Sequence, residues 1–205
     1  MEKKTADIAT YVSLAVIVIS LAFIGTELTG HEVATDTGYV NITIESSASI
    51  NFTTSEINFG SGLVNGTYAY LQTNGSGTMQ NWNGSEGVVS TGFNITNLGN
   101  TNLTLNISSD KNASAFLGGT DPWFYIMVDN RTTVAGASCK SAAFAADVAV
   151  PVWGNITTSE LVICDVFGYE SQQDSVVVDV YLGVPNDATP GAQVETITAT
   201  GTSVA

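Results

Sequence analysis

The stretch Thr91–Ser108 reads TGFNITNLGNTNLTLNIS, and it decides the fold class because apolar and polar residues alternate in two runs. The first run is Phe93–Thr96 and the second is Leu103–Ile107. Alternation with a period of two is typical of a strand with one buried face and one solvated face. The intervening Asn97–Asn100 consists of turn-forming residues, so the stretch predicts a hairpin of two such strands.

Similar runs recur along the rest of the chain and predict about ten short strands in all. The others are Tyr39–Ile44, Ile50–Phe52, Ile57–Phe59, Tyr68–Leu71, Trp123–Val128, Val150–Trp153, Leu161–Phe167, Ser175–Val184 and Gln193–Thr200. Stretches rich in Gly, Asn and Ser predict loops at Thr73–Gly87 and Asp110–Thr120, while the Ala-rich Ala135–Ala149 predicts a short helix or a crossing loop. Many short strands between turns indicate a mainly β fold, an antiparallel β-sandwich of immunoglobulin-like or jelly-roll type.

The N-terminus has the composition of a hydrophobic helix. Met1–Lys4 is cationic, and the uncharged Ile8–Gly25 is long enough to span a bilayer. Acidic residues follow it, which predicts a cytoplasmic N-terminus and an external body. The sequence therefore predicts an apolar helix within residues 1–29, a linker at 30–38 and an extracellular sandwich at 39–205. The helix is interpreted as a membrane anchor, a filament core or a cleaved signal.

The charge balance excludes one class of partner. The chain has 5 Lys and Arg against 19 Asp and Glu, a net charge of −14. Electrostatic binding to nucleic acid requires clustered cations, so no nucleic-acid partner is expected. The carboxylates lack the spacing of a calcium loop, and neither a metal nor another cofactor is expected.

Asn-x-Ser/Thr triplets, the acceptors of N-glycosylation, are frequent along the chain. They begin at Asn41, Asn51, Asn65, Asn74, Asn83, Asn94, Asn102, Asn106, Asn112, Asn130 and Asn155. On the predicted strands they occupy the outward phase, and most of the others lie in predicted loops. Several are therefore expected to carry glycans on an exposed, polar surface.

Cys139 and Cys164 are the only cysteines. An even pair in a translocated chain predicts a disulfide between them. In the chain-entropy model, closing a loop of about 25 residues stabilises the fold by roughly 3.5 kcal/mol.

Catalytic patterns are missing from the sequence. His31, the single histidine, has no cysteine or histidine partner nearby, which excludes the usual nucleophile–base triads and indicates a solvated side chain. A glycosidase-like carboxylate pair could only come from acidic residues scattered along the chain, namely Asp110, Asp121, Asp129, Asp147, Glu160 and Asp165. The sequence therefore predicts a protein without enzymatic activity.

The layout of a short cationic leader, an apolar helix and a Thr/Ser/Asn/Gly-rich β head resembles archaeal pilins and archaellins. Lys4-Thr5-Ala6 departs from the basic-residue-then-small-residue processing site of those proteins. The Gly92–Ser108 stretch and the closing Val180–Thr200 stretch look like hairpins of immunoglobulin-like envelope and S-layer-associated modules. Their order after Ile57–Gly60 is similar to TasA-type matrix-fibre proteins and archaeal bundling pilins.

These resemblances imply an extracellular filament subunit whose main partner is another copy of itself and whose helix meets the membrane before assembly. Strand donation, as in the TasA-type proteins, would use the segment from Tyr39 to Phe52. Its apolar candidates are Tyr39, Val40, Ile42, Ile44, Ile50 and Phe52. The alternatives are a membrane-anchored monomeric or S-layer-associated surface glycoprotein, and a sugar-binding adhesin using Trp82 or Trp153.

Overall fold

The computed structural model describes residues 41–73, 78–86, 91–129, 138–142 and 152–204. The chain divides into two compact units, Met1–Ile44 and Glu45–Ala205, and the second contains the elements below. The predicted apolar helix, the linker with His31, and Tyr39 and Val40 lie outside the described residues. In the ranges that the structure describes, no helix has the length and apolar character needed to cross a membrane.

The described chain is mainly β-strand, and every strand pair is antiparallel. The elements are β1 (Ile50–Thr54), β2 (Gly60–Val64), β3 (Tyr68–Gln72), β4 (Thr78–Gln80), β5 (Trp82–Glu86), β6 (Phe93–Asn97), β7 (Leu103–Ser109), α1 (Ala113–Leu117), β8 (Trp123–Asp129), β9 (Cys139–Ala142), β10 (Gly154–Asn155), β11 (Leu161–Phe167), β12 (Ser175–Pro185) and β13 (Ile197–Ser203).

The larger sheet has seven strands and is built around β12. Along one side of β12, its first half pairs with β6 and its second half pairs with β3. Along the other side it pairs with β8, from Val177 opposite Asp129 to Gly183 opposite Trp123. Strands β1, β4 and β10 extend this sheet outward from β6, β3 and β8.

A second sheet of four strands has the order β13-β7-β11-β9, and β2 and β5 form a separate pair. Strand β7 alternates strictly between buried and half-buried residues, as the sequence predicts. Its buried Leu103, Leu105 and Ile107 join one hydrophobic core with Ile95 of β6 and Val178 of β12. Burying each such side chain contributes about 1.5–3 kcal/mol. The two sheets therefore pack as the layers of a sandwich.

The predicted Thr91–Ser108 hairpin is wrong, although both of its strands exist. Strand β6 lies in the larger sheet and β7 in the smaller one, so the Asn97–Asn100 connection crosses between the sheets. The alternation predicted which side chains are buried, and these do meet in one core. It could not tell whether they face that core from one sheet or from two.

The predicted closing hairpin is wrong for the same reason. Strand β12 belongs to the larger sheet and β13 to the smaller one, so the chain after Pro185 also crosses over. The closing strand is Ile197–Ser203, a few residues later than predicted.

Several boundaries also differ from the predictions. Residues 41–49 and 57–59 contain no strand, and the strand after the predicted Ile57–Phe59 is β2, which includes Gly60 and Gly62. The predicted Thr73–Gly87 loop contains β4 and β5, and the predicted Asp110–Thr120 loop contains α1. The Ala-rich segment contains Ser138 and β9, and its remainder lies outside the described residues. Of the strand predicted at Val150–Trp153 only Val152 and Trp153 are described; neither lies in a strand, and the short β10 follows them. For β2, β4, β5 and β9, pairing with a neighbouring strand overrides local propensity.

Candidate functional site

The outer surface of the larger sheet carries a group of aromatic side chains, here named the aromatic face. The group comprises Tyr68, Tyr70, Trp123, Tyr125, Trp153 and Tyr181, all half-buried. It arises from strand alternation: on β3, β8 and β12 the intervening residues, such as Ala69, Phe124 and Leu182, point into the core. Trp153 comes from the residues just before β10.

The rings of the aromatic face contact one another across three strands. The Trp123 ring lies 5.1 Å from that of Tyr68 at an interplanar angle of 13°, and 5.8 Å from that of Tyr70 at 27°. The Tyr125 ring is 6.4 Å from Trp123 at 9°. These four rings are therefore close to parallel, while the Trp153 ring meets that of Tyr181 at 5.4 Å and 53°.

Gly183 makes the central contact possible. It lies on β12 between Tyr70 of β3 and Trp123 of β8 in the sheet register. A Cβ atom at this position would lie 2.6 Å from Cε3 of Trp123. The missing side chain lets the indole extend over the backbone of β12 and reach the tyrosines of β3.

Polar but uncharged groups surround the rings. Gln72 and Gln80 line a small cavity with Tyr70 and Tyr181. A wider depression of about 310 Å³ lies beside Trp123 and Tyr125. Its remaining lining residues are Asn112, Ala113, Ser114, Pro122 and Asn155. Aromatic surface bordered by amides and hydroxyls suits a neutral ligand that has both apolar and hydroxyl-bearing faces.

Within the aromatic face, the surroundings of Tyr181 displace the pKa of its side chain. Burial raises the pKa of its phenol above the ordinary value of 10.0, and the neighbouring phenols of Tyr70 and Tyr125 raise it further. Tyr181 is therefore neutral at physiological pH. The face provides stacking surface and phenol groups that can form hydrogen bonds.

The predicted disulfide is present. Cys139 of β9 and Cys164 of β11 are bonded, with their Cα atoms 5.6 Å apart. Both cysteines are buried residues of the smaller sheet, so the disulfide lies within the hydrophobic core. Disulfides of this kind form and persist in oxidising, extracellular surroundings.

The acceptor asparagines are spread over the surface. Those at 41, 51, 65, 83, 102, 112 and 155 are exposed, whereas Asn94 and Asn106 are half-buried. Asn74 and Asn130 lie outside the described residues. Asn112 also caps α1, because its Oδ1 accepts the backbone N–H of Ala115 at 2.8 Å.

The candidate donated segment divides into two parts. Ile42 and Ile44 are 81% and 77% exposed. Ile50 and Phe52 lie in β1, which pairs with β6, and both pack against the core.

The residues between these two parts are held by the sheet crossing. Asn100 donates its Nδ2 to the Glu45 carbonyl at 2.9 Å and accepts the Ser47 N–H on Oδ1 at 2.6 Å. The segment is thus fixed from Glu45 onward.

The other sequence candidates occupy different places. Trp82 packs against the core, where a Cβ on Gly62 would lie 2.6 Å from its ring. Trp153 belongs to the aromatic face. Asp110, Asp121, Asp129, Glu160 and Asp165 lie on separate strands and loops, and Asp147 lies outside the described residues. The described stretches contain no group of three or more His, Cys, Asp or Glu residues able to hold a metal ion.

Sequence reasoning did not identify the aromatic face. Its signal was present as aromatic residues spaced by two, at Tyr68 and Tyr70 and at Trp123 and Tyr125. Spacing by two shows that the rings share a face of one strand. Which strands lie side by side follows only from the sheet order.

Together these features define the class of protein as a disulfide-bonded, antiparallel β protein with an aromatic outer face. No protein-family model, curated protein or solved structure matches the chain.

Proposed function

We propose that this chain is a non-enzymatic structural protein of the cell surface, and that it forms extracellular filaments with other copies of itself. The observation that carries the proposal is the exposure of Ile42 and Ile44, at 81% and 77%. Two exposed β-branched residues spaced by two would lie on the same face of a β-strand, but this segment pairs with no sheet in the described chain. A second copy can bury them.

Open sheet edges support the same proposal. Strand β1 pairs only with β6, and β13 only with β7, within the described chain. Leu98 donates its N–H to the carbonyl of Ser49, so the backbone groups of Ile50 and Phe52 point to the free side of β1.

The edge of β13 is open in the same way. Val204 donates its N–H to the Asn102 carbonyl, which directs the backbone groups of Ser203, Gly201 and Ala199 away from β7. The two open edges lie close together, because a Cβ on Gly201 would come within 3.0 Å of the Ile50 side chain. An incoming strand could extend either sheet by β-augmentation.

Two modes of assembly satisfy the proposal, and they use different parts of the chain. In one, the apolar Ile8–Gly25 anchors the protein in the membrane and then packs into a filament core. In the other, the segment preceding Glu45 enters the sheet of a neighbouring copy. The disulfide and the exposed acceptor asparagines suit an external, glycosylated surface in both modes.

The first test is electron microscopy of material sheared from cells, with mass spectrometry to identify the chain and its N-terminus. Filaments that contain the chain with Ile8–Gly25 retained support a helical core. Filaments whose chains begin beyond Thr26 support strand donation. Absence of filaments, with the chain confined to membranes, would favour the anchored or S-layer-associated surface glycoprotein.

A paired variant tests the exposed isoleucines directly. In I42D/I44D, charges replace the side chains that a second copy would bury, and assembly should be lost while the thermal unfolding midpoint stays unchanged. The control I42T/I44T keeps β-branched side chains and should retain assembly more fully. Equal assembly of both variants would show that this segment is not the contact.

A sugar-binding adhesin is the second candidate function, because Trp153 lies on the aromatic face. Trp82 gives it no support, since its ring packs against the core. The variant W153A should lose binding in a glycan array if this function operates, and W82A would serve as the comparison.

A further inference from the structure

We infer that the chain carries a glycan on Asn155 and that this glycan packs against the aromatic face of the same chain. The inference starts from the register of β10. Asn155 is directly opposite Tyr125 of β8. Opposed residues of an antiparallel pair project from the same face of the sheet, with Cβ atoms about 4.5–5.5 Å apart. The acceptor amide therefore projects beside the Tyr125 ring.

The backbone around Asn155 holds the acceptor triplet in a fixed position. Gly154 and Ile156 on either side are buried, whereas Asn155 is exposed. The Ile156 N–H donates to the Phe124 carbonyl at 3.1 Å, and the Ser109 N–H donates to the Thr157 carbonyl at 3.1 Å. Thr157 is itself exposed, and its hydroxyl donates to the Ser159 carbonyl at 3.1 Å, so both polar residues of the triplet lie at the surface.

The depression beside Asn155 has the chemistry of a sugar-binding surface. It is bounded by Trp123 and Tyr125 on its aromatic side and by Asn112, Ser114 and Asn155 on its polar side. The C–H groups on one side of a pyranose ring are weakly positive and meet the negative face of an aromatic ring. The sugar hydroxyls then find amide and hydroxyl partners, each able to donate and to accept.

A covalently attached sugar fits this place better than a free one. Asn155 itself lines the depression, so a sugar attached to it is delivered there at high effective concentration. A charged partner is not favoured, since the lining residues carry no ionisable group except the Tyr125 phenol. Asn112, the second acceptor on the rim, already uses its Oδ1 as the cap of α1.

The modification is an ordinary N-glycosyl transfer from a polyprenyl phosphate-linked donor. The Nδ2 atom of Asn155 forms a bond to the anomeric carbon of the sugar, and the bond from that carbon to the phosphate oxygen breaks. The phosphate leaves with the bonding electron pair, and the amide gives up one proton.

The test compares two acceptor triplets, each on a strand, whose asparagines have different register partners on the neighbouring strand. Asn51 of β1 is also exposed, but its register partner is Thr96 rather than an aromatic ring. The variants T157A and T53A each abolish one triplet and each remove a single hydroxyl hydrogen bond to a backbone carbonyl, that of Ser159 or of Asn94. Each is prepared from the natural source and from a host that lacks N-glycosylation.

Mass spectrometry of peptides from the natural protein should show a glycan on Asn155. T157A should lower the unfolding midpoint by about 2–4 °C in natural protein, the size expected for one modest contact in such a domain. In protein from the non-glycosylating host T157A should behave like T53A. In a Y125L background the glycan-dependent part of the shift should disappear.

Three results would overturn the inference. They are a bare Asn155 in the natural protein, a glycan-dependent shift that persists in Y125L, and an equal shift for T53A. If Asn155 is bare in the natural protein and that protein binds a free oligosaccharide, the result favours the adhesin. None of these results depends on whether filaments form.

Discussion

At the scale of single residues, Asn97 shows how one polar side chain closes the crossing between the two sheets. It is only 2% exposed. Its Nδ2 donates to the carbonyls of Thr101 and Gly168, both at 3.0 Å, and its Oδ1 accepts the Gly99 N–H at 3.0 Å. Because the chain passes from one sheet to the other here, these backbone groups have no partner in a neighbouring strand, and the Asn97 side chain supplies one.

The variant N97A should therefore lower the free energy of unfolding by about 1–3 kcal/mol, because it leaves buried backbone groups without partners. Urea unfolding of protein from a non-glycosylating host measures the change. N102A is the control, since Asn102 lies in the same crossing but is exposed. A loss for N97A no larger than that for N102A would contradict the role assigned to Asn97.

The carboxyl group of Asp187 is a second single residue with a testable effect, because it should make the folding stability depend on pH. The backbone N–H of Thr120, at 2.9 Å, is the main cause that lowers the pKa of this carboxyl from its ordinary value of 3.8, and the Thr120 hydroxyl adds to it. A carboxyl whose pKa is lower in the folded state stabilises the protein above the unfolded pKa. That contribution is lost as the pH falls through the folded pKa.

Stability measured by urea unfolding at a series of pH values below about 5 should therefore fall less steeply in D187N than in the parent. T120V, which removes the hydroxyl donor and keeps the backbone donor, should give an intermediate slope. Parallel curves for D187N and the parent would show that Asp187 does not contribute to the acid response.

At the scale of elements, β12 organises the larger sheet, and Gly183 is the position where its outer face depends on the absence of a side chain. G183A should displace the Trp123 indole, whose Cε3 would lie 2.6 Å from the new Cβ. Overpacking of this kind typically costs about 1–3 kcal/mol. The displaced indole should change the tryptophan fluorescence, and the loss of stability should lower the thermal unfolding midpoint.

A second substitution tests the cause of that effect. In a W123A background the added methyl group of G183A has space, so the two changes should be strongly non-additive. Additive losses would show that G183A acts through the β12 backbone and not through the indole.

The disulfide acts between two other elements, β9 and β11. Its 25-residue separation predicts that C139A/C164A lowers the free energy of unfolding by about 2–4 kcal/mol. Chemical denaturation with and without a thiol reductant measures this, and the double variant, which has no bond to break, should not respond to the reductant. A parent protein that is equally stable in both conditions would contradict the prediction.

At the scale of the whole molecule, the net charge of −14 opposes contact between copies. If the protein assembles as proposed, filaments should form less readily at low ionic strength. Raising monovalent salt from about 10 mM to about 150 mM shortens the Debye length from about 30 Å to about 8 Å. The sedimented fraction should rise over that range, and a fall would indicate that attraction between charges drives assembly.

Much of the fold was predictable from local pattern. The alternation along β7 follows the sequence closely, because burial of every second side chain gives a period of two. The bounds of β11, Leu161–Phe167, are those predicted. The disulfide was predictable because only one pairing of two cysteines exists. The boundaries of short strands such as β4 and β10 were not, since their neighbours in the sheet decide them.

The sequence by itself determined that the chain is mainly β, which β7 side chains are buried, and that Cys139 pairs with Cys164. Only the tertiary structure decided that Asn97–Asn100 crosses between sheets, that Gly183 makes room for Trp123, and that Asn155 faces Tyr125. The physical reason is that alternation is a property of one strand, written in neighbouring residues. Sheet order and register come from contacts between residues far apart in the chain, which no local pattern specifies.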